Sequence, residues 1–144
     1  MPDAPQRLAE AVGAALYARD QAARSLGVTL LEIRPGYARM TMTVRPDMLN
    51  SHGICHGGFT FTLADTAFAY ACNSHNRVTV ATGGNILYPA SGRPGDLLTA
   101  VAEERLLQGR TGITDVTITN QTGTVIALFR GQSRRIEGTV IPEA

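Results

Sequence analysis

Apolar residues recur along this chain with two periods, and the changes between them mark its elements. Residues 4 to 24 (APQRLAEAVGAALYARDQAAR) carry the pattern of an Ala-rich helix, with Leu8, Val12, Ala15 and Leu16 on one face and Gly27 as the stop. Residues 28–34 predict a strand and Pro35-Gly36 a turn. From Ala38 the period is two: Ala38, Met40, Met42 and Val44 alternate with Arg39, Thr41, Thr43 and Arg45, as on an antiparallel strand with one buried face. Pro46-Asp47 breaks that strand.

The stretch that follows, NSHGICHGGFTFTLADTAFAYACNSH over 50–75, organises the rest. The spacing of Phe61, Leu63, Ala64, Ala67, Phe68 and Ala71 predicts one helix over 58–73. Small and apolar residues fill most of its other face too, and a helix apolar all round is normally buried. Cys72 on this helix reads as small core packing, and His75 at its end as a favourable contact with the helix dipole.

Strands are expected over 78–88, 97–108, 111–120 and 125–136. Their breaks are the Pro- and Gly-rich run PASGRPGD, Gly109-Arg110, and Gln121-Thr122-Gly123. The order is helix, two strands, one buried helix, four strands. Hairpin-length connections favour an α+β fold, an antiparallel sheet with the apolar helix packed across its concave face. Such a sheet has edges, so pairing with a second copy is expected. We read one domain over 1–144: an N-terminal helix at 4–24, a core at 25–137 and a loose tail at 138–144.

Composition narrows the function without naming it. The chain is 44% apolar and 17% charged, with a net charge of +1, which gives no case for general nucleic-acid binding. All 13 basic residues are Arg, a skew that codon bias explains as well as phosphate recognition does. Two Cys make no disulfide framework, and no run approaches a membrane span, so a reduced cytoplasmic setting is expected.

The one charge within the apolar helix is Asp65, and no Arg lies within ten residues on either side. An ionised carboxylate in apolar surroundings is costly unless paired or partly wet. It either faces solvent or is held at a cleft for general-base or nucleophilic work. His56-Gly57-Gly58 opens the helix, where N–H groups lack intrahelical partners and a developing oxyanion could be held; two glycines also make an ordinary flexible start. Gly57 and Asp65 are eight residues apart, ~12 Å along a helix. To act on one carbonyl they must come from two copies, so the hypothesis requires an oligomer. His52, Cys55 and His56 do not complete a metal-ligand set. Gly-x-Ser-x-Gly, Walker and dinucleotide-binding patterns are absent.

Asn50, His56-Gly57-Gly58 and Asp65, with Arg93-Pro94-Gly95-Asp96 and Phe129-Arg130-Gly131-Gln132-Ser133, resemble the PaaI-type hotdog-fold acyl-CoA thioesterases. The runs LADTAFAYACNS and ALFRGQSRRI carry the likeness most specifically, over roughly residues 25 to 137. The resemblance implies a hotdog fold, a tetramer of two dimers, and metal- and cofactor-free hydrolysis of aryl-acyl-CoA, hydroxylated phenylacetyl-CoA above all. By position, Asp65 would be the base or nucleophile and Gly57 the oxyanion donor, while Asn50 and His56 would shape the site. Where relatives often place a Ser or Thr to hold water, this chain offers Thr82, or a Gly83-Gly84 pair that widens the acyl pocket for a ring. Arg93, Arg110 and Arg134 are candidates for the CoA phosphates. Two other readings stand beside hydrolysis. A hotdog enoyl-CoA hydratase or dehydratase would want a His beside Asp65, and an acyl-CoA binding module would bind without turnover.

Overall fold

A computed structural model describes residues 2–143. Its elements are α1 (Ala4–Arg19), α2 (Gln21–Ser25), β1 (Thr29–Arg34), β2 (Tyr37–Thr43), α3 (Gly57–Asn73), β3 (Thr79–Leu87), β4 (Leu97–Gln108), β5 (Thr111–Thr119) and β6 (Val125–Arg135). The strands form one six-stranded sheet in the order β1-β2-β4-β5-β6-β3, each neighbouring pair antiparallel.

Alternation puts one face of every central strand against α3. Ala38, Met40 and Met42 of β2, Leu98, Ala100 and Ala102 of β4, and Val116 and Ile118 of β5 are all buried. From α3, Leu63, Ala64, Ala67, Phe68 and Ala71 meet them. Helix and sheet thus share one apolar core, worth ~1.5–3 kcal/mol for each large side chain taken from water. Gly84 and Gly131 lie opposite each other on β3 and β6. A Cβ on Gly131 would come within 2.7 Å of the Phe68 ring, and one on Gly84 within 3.0 Å of Phe129. The bare backbone there is what lets the Phe68 and Phe129 rings approach the sheet closely.

The two edges of the sheet differ. β1 is covered by α1, and Gln6 Nε2 donates to the Ile33 carbonyl at 2.8 Å. Among the described residues β3 pairs with β6 alone, and its residues Val80 and Leu87 are exposed.

Three expectations need correction. The helix over 4–24 is two helices, because Asp20 leaves helical geometry and its side chain caps the Ala23 N–H instead. The buried face of α1 is Ala9, Val12 and Gly13 rather than one containing Leu8, which is 37% exposed; small residues there let α1 lie close on β1. The described part of the tail is tied down. Asn76, buried and at φ +64°, accepts from the N–H groups of Val140 and Ile141 at 3.0 and 2.9 Å, and Arg77 pairs with Glu143 at 2.9 Å.

Candidate active site

The loop entering α3 is folded by Asn50. Its side-chain oxygen accepts from the His52 N–H at 2.9 Å and the Ile54 N–H at 3.3 Å, closing a tight turn through Gly53. The His56 N–H then donates to the Met48 carbonyl, and the Cys55 N–H to that of Gly92, which locks the loop to the rest of the domain. His56 is the N-cap of α3: Nδ1 accepts from the Gly58 N–H at 2.9 Å. That bond occupies the second N–H of the helix and leaves the first, on Gly57, without a partner among the described residues.

Sequence reasoning missed Tyr88. Its hydroxyl donates to the Gly57 carbonyl at 2.9 Å, and its ring would lie 3.1 Å from any Cβ at position 57. A glycine therefore lets the aromatic ring fix this turn while the N–H stays presented. The available signal was an aromatic residue at a strand end, too common to stand out.

Asp65 lies two turns further on, partly buried on the side of α3 that faces away from the sheet. Burial raises its pKa above the ordinary value of 3.8, and among the described residues no bond or charge lowers it. Phe61, expected among the buried positions, is on this same outward side, 36% exposed and edge-on to Phe129. So α3 is not buried all round: residues 58, 61, 62, 65 and 69 form an outward stripe in a single copy.

β3 runs back alongside α3. Thr79 and Asn73 exchange hydrogen bonds of 3.0 and 3.1 Å at one end, and Tyr88 meets Gly57 at the other. The middle of β3, residues 82–84, therefore comes level with Asp65. Thr82 is exposed at an irregularity in the β3–β6 register, and its hydroxyl donates to the Gln132 carbonyl at 3.1 Å. A Cβ on Gly84 would come within 3.0 Å of the Phe129 ring, and the Gly83-Gly84 pair lines a cavity of about 240 Å³ between β3 and β6.

The three arginines are not brought together. Arg93 sits in the loop beside Gly92, at the α3 N-terminal end. Arg110 lies in the β4–β5 turn and Arg134 at the end of the adjoining β6, opposite Thr111. The length of β4 separates the two groups, on the order of 35 Å. Among the described residues no three His, Cys, Asp or Glu side chains converge on a metal position. Cys55 and Cys72 are buried free thiols, and burial pushes Cys72 up to about 12.

The arrangement offers an unpaired, basic carboxylate and a separate, unpartnered N–H at a helix start. Comparison with known proteins gives this pair a context. A family model described as the thioesterase superfamily matches residues 52–127. The acyl-coenzyme A thioesterase PaaI of Escherichia coli is 48% identical over 130 residues, 90% of this chain and 93% of that protein. The structure of the E. coli PaaI protein from the phenylacetic acid degradation operon matches with a TM-score of 0.93 at 45% identity, covering 94% of this chain and 99% of that one. A hypothetical thioesterase from Streptococcus pneumoniae, solved with coenzyme A, matches at 28% identity with a TM-score of 0.75, covering 78% and 90%. The fold is the hotdog fold, an antiparallel sheet wrapped around α3, and the chain belongs to the thioesterase superfamily.

Proposed function

We propose that this chain hydrolyses acyl-CoA thioesters of arylacetic acids, hydroxylated phenylacetyl-CoA in particular, to the free acid and CoA. The observation that carries the reading is Asp65: a carboxylate without a partner among the described residues, its pKa raised by burial, on the outward stripe of the central helix. Likeness to a named acyl-CoA thioesterase and to a thioesterase solved with coenzyme A supports the substrate class.

In the proposed reaction Asp65 takes a proton from water as the water oxygen attacks the thioester carbonyl carbon. The carbonyl oxygen becomes an oxyanion held by the Gly57 N–H and the positive end of the α3 dipole. The tetrahedral intermediate collapses, the carbon–sulfur bond breaks, and the proton on Asp65 passes to the leaving thiolate. Asn50 and His56 hold the turn that presents the Gly57 N–H, and Thr82 is the proposed anchor for the water. Arg93, beside the α3 N-terminus, is the better placed of the candidate phosphate ligands, with Arg110 and Arg134 serving another region. The reaction needs no cofactor or metal.

Gly57 and Asp65 of one helix are ~12 Å apart, so each site takes Gly57 from one copy and Asp65 from another. The open β3 edge and the exposed Val80 and Leu87 favour pairing there. A tetramer of two such dimers and a cytoplasmic setting, suited to two free thiols, complete the proposal.

The test is thiol release from a panel of CoA thioesters by the parent protein and by Asp65→Asn. Release from arylacetyl-CoA should fall by about 10²–10⁴-fold in the variant. Equal release by both would make Asp65 a structural residue. In a single turnover in labelled water, label in the Asp65 carboxylate would replace base catalysis with direct attack by Asp65.

A further inference from the structure

The Cα of Gly57 joins two peptide units, and three of their four polar groups are bonded outside the helix ladder. In the first unit the His56 carbonyl accepts from the Phe59 N–H at 3.0 Å. In the second the Gly57 carbonyl accepts from the Tyr88 hydroxyl and the Gly58 N–H donates to His56 Nδ1, each at 2.9 Å. The Gly57 N–H is the fourth, without a partner among the described residues. Bonds at both ends of one peptide unit hold its plane and polarise each other.

Tyr88 also fastens α3 to the end of β3. At the other end of the helix the buried Asn73 exchanges hydrogen bonds with Thr79. Asp65 is eight residues from Gly57 and eight from Asn73, so slack at the Tyr88 end would move Gly57 more than Asp65. Position 57 carries a second mark of the same contact. Gly57 is not among the glycines of positive φ, so its backbone is one that any residue adopts. What a side chain would meet there is Tyr88: a Cβ would come within 3.1 Å of its Cζ and its hydroxyl oxygen. Burial, and then the Cys55 thiol, raises the Tyr88 hydroxyl above its ordinary value of 10.0, so it keeps its proton and stays a donor at neutral pH.

We propose that Tyr88 is a positioning residue for the hydrolysis: its hydroxyl holds the Gly57 N–H at the angle at which it meets the oxyanion, and its ring is why position 57 is glycine. The inference rests on the hydrolytic reading above and deepens it. The N–H is engaged most strongly as charge develops on the carbonyl oxygen. Loss of the Tyr88 hydroxyl should therefore lower kcat and kcat/KM together and leave KM in place. Because Tyr88 acts through Gly57, the effect should be that of one hydrogen bond, about fivefold. Deleting an oxyanion donor outright costs about 10²–10³-fold.

The experiment measures kcat and KM for the arylacetyl-CoA ester that the parent hydrolyses fastest. It uses the full chain and its variants, with melting temperatures to establish that each is folded at the assay temperature. Tyr88→Phe keeps the ring and removes the hydroxyl; kcat should fall about fivefold with KM within about twofold. Gly57→Ala, which pushes on the ring, and Tyr88→Ala, which removes it, should each lower kcat by at least about tenfold. The double variant should be no more than about twofold slower than the slower single one, because the added methyl then occupies the space the ring has left. An unchanged kcat in Tyr88→Phe, a rise in KM in place of the fall in kcat, or multiplying losses in the double variant would overturn the role of Tyr88 and leave the hydrolytic reading standing. No thiol release from any arylacetyl-CoA by the parent would overturn both.

Discussion

Asp65 on α3 and Asp115 on β5 both place a carboxylate at a partly buried position, yet their surroundings differ. Asp115 faces Arg130 across the β5–β6 pair, and Arg130 Nε and Nη2 reach its two oxygens at 2.6 and 2.8 Å. Arg105 Nε adds a contact at 3.3 Å. Hydrogen bonds from Arg130 hold the Asp115 carboxyl below the ordinary aspartate value. Asp65 has no such partner among the described residues, and burial moves it the other way. One carboxylate is spent on fixing strand register; the other retains its basicity. An unpartnered acid within an apolar element is the feature that separates the catalytic candidate from a structural one.

The largest effect expected from this contrast is a separation of activity from folding in acid. Hydrolysis needs ionised Asp65, so kcat/KM should fall about tenfold per pH unit below the pKa of Asp65, which lies above 3.8. The stability supplied by Asp115 follows a different window. With its folded pKa lowered, that contribution is present above the unfolded value and is lost only as pH falls through the folded one. Buffer below the pKa of Asp65 but still above that of folded Asp115 should therefore yield a folded, inactive protein that recovers on return to neutral pH. Circular dichroism and thiol release on the same samples would measure it. Parallel loss of structure and activity would assign the acid limb to unfolding instead.

Next in size is the removal of the paired carboxylate. Asp115→Asn loses the charge that both Arg130 and Arg105 engage, and should lower Tm by about 2–4 °C. The loss should shrink in high salt, because the pair is open to solvent. Thiol release at neutral pH should stay within about twofold, since Asp115 is outside the proposed chemistry and general-base losses are far larger. A loss of activity as deep as that of Asp65→Asn would break the comparison.

How far these roles are legible in sequence depends on the distance over which each is defined. Asp65 could be singled out because its isolation is local: helix periodicity sets its apolar neighbours, and the nearest Arg is more than ten residues away. The alternation in β2 and the breaks before β4 and β6 are local as well, and the strands form where those signals lie. Asp115 was invisible as half of a pair, since its partner is 15 residues on and register is needed to bring them together. The same applies to Tyr88 against Gly57, 31 residues away, and to Asn76 against the tail. Glycine had two meanings that sequence could not divide: Gly57 leaves a backbone N–H presented, whereas Gly84 makes room for Phe129. The outward stripe of α3 is not separable in sequence from its buried face, because Phe61 and Ala69 are as apolar as the residues that meet the sheet.

The smallest effect has the opposite sign from the usual result of mutating a partly buried residue. Burial raises the folded pKa of Asp65. A carboxyl shifted this way contributes its full stability below the unfolded pKa, and that contribution is lost as pH rises through the folded one. At neutral pH, then, ionised Asp65 is a cost to the folded state, moderated by the water that still reaches it. Asp65→Asn keeps the shape and removes the charge, so Tm at pH 7 should rise by about 1–2 °C while activity collapses. At pH below the unfolded value of about 3.9 the two proteins should melt together, because the parent carboxyl is then neutral as well. Scanning calorimetry of the pair at both pH values measures the difference directly. A variant less stable than the parent at pH 7 would mean that the carboxylate has a favourable partner in the assembled protein, and Asp65 would then stand beside Asp115 rather than against it.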